Sequence, residues 1–412
     1  MALRNWRGRA VLACLYLTQD IGFAFFFTAL VAILRQRGVA LEHIGLVNLI
    51  GLAWALRFVW APLVDRFGRY RTWLLATQAA LVAVLLVLSR VDPRSGLPAL
   101  VVGITVVLLL SATQELAVNG LSVRLLPECE RASMNGLQMA AAGVGIMAGG
   151  AGVLTVYTQW GWSVAMVVLA TVYVFGLLVA AAVREPSRPA SPPGRAGIGA
   201  LVSFLRRPGR AGWVLVVIPL SVAGIYTAEA LVVPMLVDAG WSLQRVGLLR
   251  AGLAEPLAVL AALGAGTAIA RLGRRRSAAV FGIAQVAAVA ALPVAVAAGP
   301  VWTAAAVVAL SSVSAAMVTA VFTIAMDISR RDLGATDYSL QFSVVGVCRI
   351  GANSGGLAIA GVLGYAPTLA LAAAVAAAGT VLTYRHVTAL SVASFATATS
   401  SRPSAAGSGG RS

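Results

Sequence analysis

The chain of 412 residues contains no lysine. A nucleotide-driven motor is excluded on that ground, because a phosphate-binding loop needs a lysine to reach the terminal phosphates. Histidine occurs only at His43 and His386, and cysteine only at Cys14, Cys129 and Cys348, with no metal-like spacing. Neither a zinc site nor a disulfide framework is expected, and no cofactor. Acids are scarce too, 14 against 31 arginines, for a net charge of +17. Scattered acids and two remote histidines supply neither metal ligands nor a nucleophile with its base, so the chain does not read as an enzyme. A receptor or sensor would need a sizeable soluble domain, and the longest polar segment is under 30 residues.

What is present in excess is apolar surface. Sixty per cent of residues are hydrophobic, 11% are charged and the mean hydropathy is +0.90. Such a composition belongs in a lipid bilayer. Runs of about 20 apolar residues fit helices, and no ten-residue alternation marks a membrane barrel. Spans are expected near 11–34, 44–63, 73–89, 98–122, 134–157, 162–183, 213–236, 245–269, 278–298, 301–326, 339–363 and 366–384. With a cytoplasmic amino terminus, 23 of the 31 arginines fall in inner loops and tails, five outside, and Arg57, Arg250 and Arg349 within spans. That bias is the one that sets orientation in membranes, and it places both termini in the cytoplasm. It also accounts for the basic charge without a nucleic-acid partner.

The loop after the sixth span is rich in Pro, Gly, Ser and Arg, and divides six spans from six. The expected organisation is an amino-terminal six-helix bundle over 1–183, a cytoplasmic linker over 184–211, a carboxy-terminal six-helix bundle over 212–387 and a disordered cytoplasmic tail over 388–412.

The loops after spans two and eight echo each other: Ala61-Pro-Leu-Val-Asp65-Arg66-Phe-Gly68-Arg69-Tyr-Arg71 and Gly266-Thr-Ala-Ile-Ala270-Arg271-Leu-Gly273-Arg274-Arg275-Arg276. They lie half a chain apart, as a duplicated six-helix unit requires. The first copy resembles the loop between helices two and three of the major facilitator superfamily. The resemblance implies an all-α membrane protein with the major facilitator fold, twelve transmembrane helices in two six-helix bundles around a central cavity. It also implies a cytoplasmic gating loop at Asp65, Arg66, Gly68, Arg69 and Arg71, with Arg271, Gly273 and Arg274 as the second copy. The first copy has Ala61 where the family has glycine, and the second has Ala270 where the first has its acid.

Further pieces carry a finer resemblance. Phe58-Val-Trp-Ala-Pro-Leu-Val-Asp-Arg66, Trp73-Leu-Leu-Ala-Thr-Gln78 and Ala112-Thr-Gln-Glu115, followed by Leu121-Ser-Val-Arg-Leu-Leu-Pro127, look like the AmpG branch. That branch includes muropeptide permeases and siderophore permeases of the RhtX/FptX type. Chain length and the stretch Thr336-Asp-Tyr-Ser-Leu-Gln-Phe-Ser-Val344 resemble the siderophore members more closely. Asn119 stands where an acid would be expected in this branch. The implied function is a monomeric proton-coupled transporter of the bacterial inner membrane that imports a siderophore or its ferric complex. A muropeptide permease and a drug or metabolite exporter are the alternatives.

Ionisable groups at membrane depth are costly unless they face a partner or a cavity, and so mark function. Asp20, Glu115 and Glu229 fall in spans one, four and seven, which the resemblance places around the cavity; they are the candidate proton-coupling acids. Tyr16-Leu-Thr18-Gln-Asp20 even matches Tyr226-Thr227-Ala-Glu229 across the halves. Tyr16, Gln19, Trp54, Arg57, Tyr226 and Arg349 are the candidate cavity residues, the two arginines as partners for an anionic substrate. Ion pairs of Asp20 with Arg57, or of Glu229 with Arg349, are the structural alternative. Glu255, just before Pro256, is expected to serve a local kink, and the glycines of 143–152 close helix packing.

Overall fold

The computed structural model describes residues 6–30, 33, 54–91, 97–185 and 198–400, and these form helices joined by short turns. In hydrocarbon the backbone must satisfy its own hydrogen bonds, and a helix does so within one segment. The first is α1 (Trp6–Ala24), prolonged by a π-helical turn at Phe25–Leu30. The second span lies outside the described residues up to position 53 and ends in the short α2 (Ala61–Arg66). Next come α3 (Tyr70–Leu88), α4 (Leu97–Leu125), α5 (Glu128–Met147) and α6 (Val153–Ala181). The chain turns between the fifth and sixth spans at Gly161, whose φ of 82° suits glycine.

A short helix, α7 (Ile198–Leu205), sits inside the stretch expected as a plain linker. Its apolar octet is too short for a membrane-length window to register, yet it buries Ala200, Leu201 and Phe204. The second half then comprises α8 (Arg210–Asp238), α9 (Gln244–Leu272), α10 (Arg274–Ala298), α11 (Pro300–Ile328), α12 (Gly334–Leu363) and α13 (Tyr365–Ser400). The last helix runs beyond Thr388, where the sequence suggests a disordered tail: no proline or glycine lies between Thr388 and Pro403. Nine described segments are long and apolar enough to cross a membrane, and one of these, Glu128–Ala181, contains both the fifth and sixth spans.

Packing follows membrane logic, with large apolar side chains outermost. Val87, Ile283 and Val362 are 65, 67 and 84% exposed, whereas Gln78, Asn119 and Gln285 are fully buried. One core cluster lies wholly within residues 21–173 and another within 225–373. The largest draws on both halves, bringing Tyr16, Val64 and Leu121 together with Met317, Phe322 and Tyr338. Across the halves, α5 packs on α9 and α11, while α12 packs on α2 and α4.

Glycines set the closest approaches. A Cβ on Gly145 would stand 2.8 Å from that of Asp20, and one on Gly149 would strike the Ile21 carbonyl of α1. The glycine-rich stretch of α5 thus serves close packing. Between the halves, a Cβ on Gly266 of α9 would stand 2.7 Å from the Ala132 carbonyl, while one on Gly264 of the same helix meets nothing within 4 Å. Gly266→Ala is therefore expected to lower stability by about 1–3 kcal/mol through overpacking, and Gly264→Ala to be neutral or slightly stabilising. Thermal unfolding of the two purified variants checks the contrast; equal behaviour would refute the close crossing.

Candidate functional site: a buried charge centre and an interdomain latch

The charge centre starts on α4. Glu115 points inward, and its Oε2 accepts a hydrogen bond from Arg57 Nη1 at 2.5 Å. Both side chains are essentially inaccessible. The Arg57 guanidinium carbon lies 4.0 Å from the Trp54 ring centre and 4.6 Å from that of Phe342, which α12 contributes from the other half. Such stacking suits a planar, delocalised cation. Asp20 of α1 lies within electrostatic reach of both Arg57 and Glu115, yet its Oδ2 has no hydrogen-bond partner. Arg57 therefore pairs with Glu115, not with Asp20 as one expectation had it.

A chain of neutral polar groups adjoins this trio. Gln138 Nε2 donates to Asn119 Oδ1 at 3.3 Å, and the Tyr338 hydroxyl donates to Asn135 Oδ1 at 3.0 Å and reaches Gln138 Oε1 at 3.3 Å. Asn119 occupies its position as a neutral link. Tyr16 is buried, its hydroxyl donating to Ser122 at 2.6 Å, and so braces α1 against α4. Gln19 is buried with Oε1 unpartnered.

The second half gathers its own charges. Glu229 of α8 lies in the field of Arg349, Arg250 and Glu255 and beside the Ser314 hydroxyl. Arg349 itself is exposed, 5.7 Å from the Tyr226 ring centre, and forms no ion pair with Glu229 among the described residues. Glu255 pairs with Arg250 at 3.9 Å across a π-helical turn, Leu248–Ala254. The sequence-level candidates thus separate into two groups, one in each half, and only the Asp20, Arg57, Glu115 group includes a tightly paired ion.

The latch lies at the arginine-rich end. Asp65, 1% exposed, accepts the amides of Ala335 at 3.2 Å and Thr336 at 2.7 Å, and the hydroxyls of Thr336 and Tyr70 at 2.5 Å each. A carboxylate of the first half thereby caps the amino terminus of α12 in the second. The geometry satisfies orphan amides and favours the helix dipole at once. Asp327 forms a second bridge, receiving Arg131 of α5 at 3.1 Å and Arg274 of the repeat loop at 2.9 Å. Arg274 also donates to the Glu128 carbonyl at 2.7 Å.

Other members of the two loops behave differently. Arg71 donates its backbone amide to Glu185 and its guanidinium to the Ala181 carbonyl, within one half. Gly68 and Gly273 turn the chain at φ 72° and 81°. Arg66, Arg69 and Arg271 are exposed and make no interdomain ion pair among the described residues.

Four latch residues were not legible as such in the sequence: Arg131, Asp327, Arg330 and Asp337. Arg330 chelates Asp337 through Nε at 2.7 Å and Nη2 at 2.6 Å, and reaches α7 through Ser203 and the Ala200 carbonyl. Burial acts against its charge, but the Asp337 carboxylate more than compensates and holds the guanidinium above its usual pKa. The available signal was a set of acids, Asp327, Asp332 and Asp337, around the inner-loop pair Arg330 and Arg331.

A profile of the Major Facilitator Superfamily matches residues 12–353. The chain belongs to this superfamily. Among relatives it is similar to the anhydromuropeptide permease of Escherichia coli K12, at 26% identity over 286 residues, covering 67% of this chain and 58% of that one. The chain thus matches little more than half the length of that permease. An uncharacterized protein of Haemophilus influenzae is 26% identical over 292 residues, covering 67% of this chain and 68% of that one. Among solved structures, the transporter FucP in its outward conformation superposes with a TM-score of 0.72 at 14% identity, over 92% of this chain and 97% of that one, which concerns the fold. The major facilitator fold expected from the sequence is thereby shown. The chain is a multi-pass membrane protein of this superfamily.

The second bridge makes a quantitative expectation. Arg131→Gln and Asp327→Asn, singly and combined, should show a coupling of about 1–3 kcal/mol in a double-mutant cycle on thermal stability. Strict additivity would mean that the bridge does not hold the halves together.

Proposed function

We propose that this transporter is a proton-coupled importer of the bacterial inner membrane whose cargo is of the muropeptide class, with the arginine-rich face in the cytoplasm. The observation that carries the coupling is the trio of Asp20, Arg57 and Glu115: Glu115 binds the guanidinium and Asp20 stands within electrostatic reach of both, beside the interface of the halves. With one proton bound the trio is neutral, and without it one negative charge is uncompensated. Since uncompensated charge at membrane depth is costly, proton binding and release bias which arrangement of the halves is favoured. Asp20, whose Oδ2 is free of hydrogen bonds, is the acid best able to exchange the proton, with Glu115 fixing the arginine.

The cargo class rests on the likeness to permeases named for muropeptides. The siderophore reading loses its footing in residues. Of the stretch 336–344 on which it rests, Thr336 binds Asp65, Asp337 binds Arg330, Tyr338 binds Asn135, Gln341 binds Trp213, and Phe342 packs on Phe322 and Arg57. Latch and core contacts account for that stretch without a substrate. Glu229, in the field of Arg349 and Arg250 and near Tyr226, is assigned the second exchangeable acid.

Uptake of tritiated anhydromuropeptide into spheroplasts tests the proposal, with a ferric siderophore as comparison. Wild type should accumulate the muropeptide, a protonophore should abolish accumulation, and Asp20→Asn and Glu115→Gln should fall to the empty-vector level. Accumulation of the siderophore instead, or outward movement only, would overturn it.

A further inference from the structure

Arg57 is completely buried, yet only one of its three nitrogens is engaged. Nη1 serves Glu115, while Nε and Nη2 have no hydrogen-bond partner among the described residues. Nε–H and an Nη2–H project in parallel from one edge of a guanidinium, at the spacing of two carboxylate oxygens. Buried donors of this kind are nearly always satisfied, so an empty two-donor edge on a buried cation is itself unusual. Asp20 is the other carboxylate whose field reaches Arg57, and it does not occupy the edge.

We propose that the Nε/Nη2 edge of Arg57 is the docking point for a carboxylate of the cargo, which makes the transported solute an organic anion with an apolar or ring-bearing portion beside that carboxylate. The inference rests on the transport reading above and narrows it to one functional group. Three observations support it. Glu115 holds Nη1, which fixes the plane of the guanidinium and hence the direction of the open edge. Trp54 and Phe342 stand against the guanidinium from two directions roughly at right angles, their ring centres 6.2 Å apart and their planes at 80°. These rings also offer apolar walls beside the guanidinium for the portion next to the carboxylate, with Phe342 backed by Phe322 at 4.4 Å between ring centres.

Access follows from the same geometry. Trp54 and Arg57 belong to the first half and Phe342 to α12 of the second. When the halves rock apart, Phe342 leaves the guanidinium and the edge opens toward the interface. A cargo carboxylate that docks there adds a negative charge next to Asp20 and Glu115. A proton on Asp20 cancels one, so an anionic cargo and a proton travel together by charge balance.

The test uses the purified full-length protein in detergent, with phenylacetate and phenylacetamide as probes that differ in the carboxylate alone. Ligand-dependent shifts of the unfolding temperature should give wild type an apparent affinity for the acid about 10-fold or more above that for the amide. The preference should vanish in the charge-neutral double variant Arg57→Gln, Glu115→Gln, and persist in Glu115→Gln alone, whose amide oxygen still accepts from Nη1 and so keeps the edge in place. Equal responses to acid and amide in wild type, or a preference that survives the double variant, would overturn the proposal. Should the double variant not fold, Glu115→Gln decides: loss of its acid preference would overturn the docking edge, and retention would support it. The two readings fail separately. Wild type that prefers phenylacetate but takes up no anhydromuropeptide keeps the carboxylate site and loses the cargo class, and the converse result keeps the cargo class and loses the site.

Discussion

The carboxylate of Asp65, buried against the amino end of α12, is the contact on which the rest of the architecture hangs. A helix start leaves several amides without partners inside the helix. Here the missing acceptor comes from the other half of the chain. The two halves therefore complete each other's hydrogen bonding at this point, and separation there exposes a charge and a set of amides together. An apolar contact would resist separation only weakly in a membrane, where lipid replaces protein at little cost. A charged cap gives the closed arrangement a definite energy well that can nonetheless be left when water enters.

That well connects to the charge centre through two stretches of chain, the second a single helix. Arg57 lies eight positions before Asp65 in the chain, and Phe342 lies six after Thr336 on one continuous helix, roughly 9 Å along its axis at 1.5 Å per residue. The first segment carries both the arginine and the capping acid. The second carries the ring that covers the arginine and the amides that are capped. Any motion that lifts Phe342 from Arg57 as a rigid body therefore disturbs the Thr336 to Asp65 contact, and the reverse holds as well. This shared pair of segments couples the two contacts, with Tyr338 and its bonds to Asn135 and Gln138 between them.

Much of this was open to reading from residues because membranes enforce simple rules. Apolar length set the spans, arginine placement set the loops, and the two echoing loops indicated duplication. Single acids in apolar runs pointed to Asp20 and Glu115. What could not be read was pairing. Arg57 had Asp20 and Glu115 within plausible reach, and only the positions of α1, α2 and α4 in space decide for Glu115. Likewise nothing in a linear chain says that Asp327 lies between Arg131 and Arg274, whose separations of 196 and 53 residues carry no periodic signal. The octet of α7 escaped for another reason: its length is that of a surface helix, while the surrounding signal is scaled to a bilayer.

The departure of the second repeat from the first then acquires a cause. In the first copy Asp65 caps α12, whereas the second has Ala270 and so offers no acid to its counterpart, the amino end of α5. That end carries its own acids, Glu128 and Glu130, in the first turn, which complement the helix dipole from within the helix. The amino end of α12 carries a first-turn acid too, Asp337, but Arg330 chelates it, so the Asp65 carboxylate meets a compensated charge there. At α5 the contact is made by Arg274, which bonds the Glu128 carbonyl and Asp327. The two loops thus cross between the halves with side chains of opposite charge, an acid where the first-turn carboxylate is already held by an arginine and an arginine where two first-turn acids stand.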